Sequence, residues 1–257
     1  MLKLQDVSRR FGGLQALSDV TITVPDGRVV GLIGPNGAGK TTLINVISGL
    51  DHPTSGTIHF DGMSIQKMPP HKVTRLGIAR TYQNIHLFGE MTTRENLMVA
   101  QHKRGTSSIL SSIFYTPAFR RETHQFEAEA DALLDQFRLQ DVAEAPAESL
   151  PYGDQRRLEM ARAFATEPRL LLLDEPTAGM NPTETRALGD QILMLMQSHH
   201  DLSVLVIEHD MSLIHQVCDE VYVLNFGKII AHGTPAEIRD NPIVVEAYLG
   251  KEDSELI

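Results

Sequence analysis

The sequence predicts an α/β fold, and three observations predict it. Near-continuous apolar runs of strand length occur at Val29 to Ile33, Leu170 to Leu173 and Ser203 to Ile207, as buried strands of a layered sheet require. The first run opens through a glycine-rich loop into Leu43-Ile44-Asn45-Val46-Ile47, which reads as a helix. The other two end in titratable residues, Asp174-Glu175 and Glu208-His209, and open α/β sheets bind ligands at such strand ends.

Met1 to Val7 and Asp19 to Val24 read as short alternating strands with Phe11-Gly12-Gly13 between them, and Pro25-Asp26-Gly27 turns into the first apolar run. Phe11 has two readings: an aromatic face for a purine ring, or a core side chain, which the pattern alone favours. The loop itself runs Gly34-Pro35-Asn36-Gly37-Ala38-Gly39-Lys40-Thr41-Thr42. Strand, glycines at this spacing, Lys-Thr and a helix together make a phosphate-cradling P-loop; a glycine-rich turn of no function does not need that context. Glycines let backbone N–H groups close on a phosphate chain, and the helix adds its positive end. Lys40 would place a point charge on the β- and γ-phosphates, and the Thr41 hydroxyl would hold Mg²⁺.

Thr57 to Phe60 reads as a strand, Pro69-Pro70 starts a short helix through Arg75, and Gly77 to Tyr82 reads as a strand ending at Gln83. A glutamine there could orient a water or reach Mg²⁺. From Phe88 to Leu150 the texture becomes helical. Thr93 to His102 fits one helix, and Phe126, Ala130, Leu133, Leu134 and Phe137 form an amphipathic stripe. Ile109, Leu110, Ile113 and Phe114 suggest a short helix in a polar loop ending at Pro117, and the basic pairs Lys103-Arg104 and Arg120-Arg121 read as solvated faces. Beyond it, Asp174 could hold hydrated Mg²⁺ and Glu175 could polarise a water for in-line attack on a γ-phosphate; the plain alternative is an acidic pair capping the next helix. His209 ends its strand at the same sheet edge, which suits a γ-phosphate contact. Val221 to Leu224 and Lys228 to Ala231 form a hairpin, and helical pieces close at Tyr248-Leu249-Gly250.

The whole chain of 257 residues could hold one large domain or two small ones. Its net charge of −10 argues against a general nucleic-acid binder. One cysteine, Cys218, permits no internal disulfide and reads as core packing. The N-terminus lacks a signal-peptide layout, and no apolar run approaches the ~20 residues of a membrane span. The histidines show no metal-ligand spacing.

Leu150-Pro151-Tyr152-Gly153-Asp154-Gln155-Arg156-Arg157-Leu158-Glu159-Met160-Ala161, ahead of Asp174-Glu175, resembles the signature helix of ABC transporter nucleotide-binding subunits, usually L-S-G-G-Q. With the other motifs in order, the resemblance covers nearly the whole chain. It implies a RecA-like P-loop NTPase core with an antiparallel β subdomain and an inserted α-helical subdomain. The single domain, 1–257, would comprise 1–87 and 156–257 as the core with its β subdomain, and 88–155 as the helical subdomain including the signature. The resemblance makes Phe11 the adenine-stacking aromatic, reversing the pattern-only preference. It makes Gly34 to Thr42 the phosphate and Mg²⁺ loop, Gln83 the link to the permease, and Gly153 a contact to the γ-phosphate of the opposite protomer. Asp174 would support Mg²⁺, Glu175 would be the base, and His209 the switch histidine. Departures are Asn181 for the usual D-loop Asp, and Pro151, Tyr152 and Asp154 within the signature.

The Y-G-x-Q-R-R-L-E signature, Ala178-Gly-Met-Asn181-Pro, the insert ending Thr116 to Arg121, Glu208-His209-Asp210-Met211 and Ala247-Tyr-Leu-Gly250 resemble ATPase subunits of branched-chain amino acid importers. That resemblance implies ATP and Mg²⁺, transmembrane permease subunits, a second ATPase subunit as hetero- or homodimer, and, indirectly, a periplasmic or extracellular substrate-binding protein. It places the chain peripherally on the cytoplasmic face of the cell membrane, with no nucleic-acid partner. Two alternatives are an ATPase for other cargo (other amino acids, amides, urea, lipid export) and a soluble ABC ATPase acting on DNA or the ribosome. The latter usually has coiled-coil insertions or tandem cassettes, which this chain lacks.

Overall fold

The computed structural model describes residues 1–101 and 117–249. In chain order it contains β1 (Leu2–Phe11), β2 (Leu14–Val24), β3 (Val29–Ile33), α1 (Lys40–Ile47), β4 (Ser55–Phe60), β5 (Met63–Ser64), α2 (Pro70–Arg75) and β6 (Ile78–Arg80). Then come α3 (Thr93–Gln101), α4 (Pro117–Gln136), α5 (Tyr152–Phe164), β7 (Leu170–Asp174), α6 (Pro182–Ser198) and β8 (Ser203–Ile207). The chain closes with α7 (Met211–Val217), β9 (Glu220–Asn225), β10 (Lys228–Gly233), α8 (Pro235–Arg239) and α9 (Pro242–Leu249). Lys103-Arg104, the expected helix around Ile109 to Phe114, and Gly250 lie outside the described residues.

The chain divides into two compact units, Met1–Gln83 with Arg169–Ile257, and Asn84–Pro168. The first holds both sheets. Six strands run in the order β10-β9-β3-β8-β7-β6, with β9, β3, β8, β7 and β6 parallel and β10 antiparallel at one edge. Every residue of β3, β7 and β8 is buried, which is why those strands read as apolar runs rather than alternations. Register places Leu32 and Asp174 each beside Ile207, so the ends of β3, β7 and β8 share one sheet edge. The second sheet, β2-β1-β4-β5, is antiparallel, and Leu4, Ile22 and Ile58 from it share a core with Leu32, Ile44 and Leu205.

β1 and β2 are longer than the alternation predicts. Register shifts between Leu4 and Arg10, with Asp6 and Asp19 in left-handed backbone, break the alternation while pairing continues. β6 is shorter than the expected Gly77 to Tyr82 stretch and, among the described residues, pairs with β7 alone. No acidic pair caps a helix at Asp174-Glu175. The next helix, α6, begins at Pro182, and its N-cap is Asn181, whose side chain accepts from the Thr183 and Glu184 N–H groups in a capping box.

The second unit is helical. Phe126, Ala130 and Leu134 on α4, with Phe137 just beyond it, are buried as the stripe predicts, and Leu133 is half-buried. Phe137 meets Phe164 of α5 at 6.0 Å between ring centroids. The unit, 84–168, exceeds the expected 88–155 because α5 is one continuous helix through Phe164, and a boundary after Gln155 would cut its first turn.

Candidate functional site

The loop between β3 and α1 is shaped by close backbone approaches. A Cβ at Gly34 would lie 2.0 Å from the Leu224 carbonyl oxygen, and one at Gly39, where φ is 109°, would lie 2.7 Å from the Ala16 carbonyl oxygen. Gly39 offers α1 no side-chain cap, which leaves the positive helix end to an anion. Lys40 is buried and folds back on its own loop, its Nζ donating to the Gly34 carbonyl at 2.7 Å and the Pro35 carbonyl at 3.1 Å.

A cavity of about 490 Å³ opens beside this loop, with Asn36, Gly37, Gly39, Lys40, Thr41 and Thr42 in its wall. Phe11, Leu14, Gln15, Ala16, Phe226 and Gly227 form its other side, and Gln83 and Glu175 complete it. Phe11 is 46 % exposed and not a core side chain; Arg9 lies 4.4 Å over its ring. The hairpin turn supplies Phe226, 82 % exposed, an aromatic wall that the sequence reading did not single out. Gly34, Pro35, Ala38, Asp174 and His209 are not among the lining residues.

At the end of β7 the two carboxylates separate. Glu175 takes a left-handed backbone (φ 48°), its N–H donates to the Ile207 carbonyl at 2.9 Å, and its Oε2 accepts from Gln83 Nε2 at 2.8 Å. Asp174 is buried and pairs at 2.9 Å through Oδ2 with Nη2 of Arg80, itself nearly buried. Nη1 of Arg80 donates to Asn45 Oδ1 at 2.7 Å and Ser48 Oγ at 3.2 Å, so one guanidinium ties Asp174 to α1.

Glu208 is fully buried between two loops. Its Oε1 accepts from the Thr177 N–H at 2.9 Å and the Thr177 hydroxyl at 2.6 Å; its Oε2 accepts from the N–H groups of His209 at 3.0 Å and Asp210 at 3.3 Å. The loops after β7 and β8 are thereby joined. The His209 side chain is 58 % exposed, with Nδ1 3.7 Å from Glu208. The sequence reading missed Arg80 and Glu208 as site residues. The available signal was a charge inside or at the end of an apolar strand, which burial makes costly unless paired.

Within the helical unit, Pro151 is the N-cap of α5 and offers it no side-chain bond, and Gly153 lies in the first turn. The Tyr152 hydroxyl accepts from Arg156 Nε at 3.1 Å and Nη2 at 3.0 Å, and Arg156 pairs with Glu159 at 3.1 Å. Gln155 Nε2 donates to the Leu150 carbonyl at 2.9 Å, and Arg157 pairs with Asp154. Tyr152 and Asp154, departures from the usual signature, are thus held by arginines of their own helix.

Among the described residues no helix is long and apolar enough to cross a membrane. Cys218, at the end of α7, has its thiol pushed up to about 12 by burial and by the neighbouring Asp219 charge.

An ABC transporter family model matches residues 17–178, and a branched-chain amino acid ATP-binding cassette transporter model matches residues 228–254. The chain is 48 % identical over 251 residues to the high-affinity branched-chain amino acid transport ATP-binding protein BraF of Pseudomonas aeruginosa, covering 98 % of each. It is 43 % identical to LivG of Escherichia coli, a protein of the same description, again over 98 % of each. Among solved structures, the ADP conformation of an ATP-binding cassette of an ABC transporter superposes with a TM-score of 0.84 at 33 % identity, covering 97 % of this chain and 98 % of that one.

Proposed function

We propose, from the premise that this chain belongs to the ABC transporter family, that it is the ATP-binding and ATP-hydrolysing subunit of an importer for branched-chain amino acids. One observation carries the enzymatic part: Lys40, Thr41, Gln83 and Glu175 line a single cavity, bringing the phosphate loop and a candidate base together.

The adenine ring would stack on Phe11, and the phosphates would draw Lys40 Nζ from the Gly34 and Pro35 carbonyls. Thr41, Gln83 and Asp174 offer the oxygen donors a hard divalent cation prefers. Bound Mg²⁺ would offset charge on the β- and γ-phosphates. Glu175 would take the proton of the attacking water, with Gln83 fixing its carboxylate.

Gly153 and the start of α5 would meet nucleotide held by a second ATPase subunit, so that ATP bridges two chains and hydrolysis releases them. Permease subunits would receive that motion near Gln83, with the chain peripheral on the cytoplasmic face of the membrane and a substrate-binding protein acting on the far side. The cargo assignment rests on the relatives and on the match at 228–254.

The test is Glu175→Gln in the assembled transporter. Mg·ATP binding should persist while hydrolysis falls by at least ~100-fold, the usual loss when a general base is removed. Ordinary turnover by the variant removes Glu175 from this role, and failure of wild-type protein to bind Mg·ATP removes the function.

A further inference from the structure

Outside the cavity wall, the largest piece of unexplained chemistry is the buried cation Arg80. It stands in an edge strand, and four contacts engage the two terminal nitrogens and the face of its guanidinium. Nη2 pairs with Asp174 at 2.9 Å, Nη1 reaches Asn45 on α1 and Ser48 at its C-cap, and the plane lies 4.8 Å over the Tyr82 ring, next to Gln83. Its Nε is buried with no hydrogen-bond partner among the described residues. A planar fork that satisfies a carboxylate and a neighbouring amide at once is an arginine function that a lysine cannot reproduce.

We propose that Arg80 is a positioning residue that reserves Asp174 for a metal arriving with nucleotide, so that the site receives Mg·ATP and not Mg²⁺ alone. This rests on the reading of Asp174 as a metal-supporting carboxylate. A buried carboxylate without a cation would attract a divalent ion by itself. With Arg80 on Oδ2, that charge is balanced before any ion arrives, and only the added negative charge of the phosphates makes a divalent cation favourable. Because the same guanidinium holds Asn45 and Ser48, the carboxylate is also fixed in register with the helix that begins at Lys40.

The probe is Mg²⁺ without nucleotide, read as a shift in thermal unfolding. Stabilisation by an ion that binds the native state grows as the logarithm of its concentration above Kd. Wild-type protein should show no Mg²⁺-dependent shift. Arg80→Met should melt lower than wild type and recover most of that loss as Mg²⁺ is added. The double variant Arg80→Met with Asp174→Asn should lose the Mg²⁺ response and melt above Arg80→Met. If Arg80→Met is recovered only unfolded, refolding yield with and without Mg²⁺ makes the same comparison, and a yield indifferent to Mg²⁺ overturns the proposal. So does an Arg80→Met that melts without any Mg²⁺ response, or a wild type that responds equally. Mg·ATP binding by wild-type protein, measured alongside, separates failure of this proposal from failure of the ATPase reading.

Discussion

Replacing Glu208 by Gln should disconnect two loops without changing the shape of the side chain. In the native protein one buried carboxylate satisfies four donors, two from Thr177 and one each from His209 and Asp210, at 2.6 to 3.3 Å. An amide keeps one oxygen. If that oxygen stays with Thr177, the new NH₂ faces the N–H groups of His209 and Asp210, and two bonds to a charged acceptor are lost. Each such bond contributes roughly 1.5–3 kcal/mol. The Asp210 bond is long, so the lower end applies and the expected loss is about 3 kcal/mol. For a domain of this size ~1 kcal/mol moves the melting temperature by ~2–4 °C, which gives a fall of about 6–12 °C. Thr177→Val, which removes only the hydroxyl bond to the same carboxylate, should cost roughly 1.5–3 kcal/mol. In ATPase assays Glu208→Gln should lower kcat more than it raises KM, because Phe11 and the loop at Lys40 are untouched. A Glu208→Gln protein that melts within ~2 °C of wild type would mean that the loop N–H groups do not depend on the charge.

Phe11→Ala should weaken nucleotide binding about tenfold, near the low end of the ~1–3 kcal/mol that base–aromatic stacking supplies, while Phe11→Tyr stays within ~2-fold by calorimetry; equal losses would show that the ring is not the contact. Cys218, raised from 9.0 to about 12, should react with iodoacetamide about a thousandfold more slowly in folded than in unfolded protein. The same shift fixes a sign: between pH 9 and 12 the unfolded chain has lost the thiol proton that the folded chain keeps, so stability falls by ~1.4 kcal/mol per pH unit more in wild type than in Cys218→Ala.

What the sequence disclosed and what it concealed have the same physical origin. β3, β7 and β8 were legible because strands buried on both faces cannot afford polar residues, so their ends announced Gly34, Asp174-Glu175 and Glu208-His209 as one edge before any register was known. β1 and β2 were half-legible because bulges around Asp6 and Asp19 interrupt the period without interrupting the ladder. Phe11 shows the limit of composition. Next to two glycines it matched both a core plug and an exposed ring, and only its place at the rim of the cavity decides between them. Arg80 and Glu208 were hidden for a different reason. Their roles are pairings across 94 and 31 residues of chain, with Asp174 and Thr177, and a local pattern carries no information about a partner that far away. A charged residue inside an apolar strand is still an argument in itself. Burial without a partner would cost more than the strand could supply, so an unexplained charge in such a run identifies a network before the network is seen, and in this chain both such charges end at the edge where nucleotide is expected.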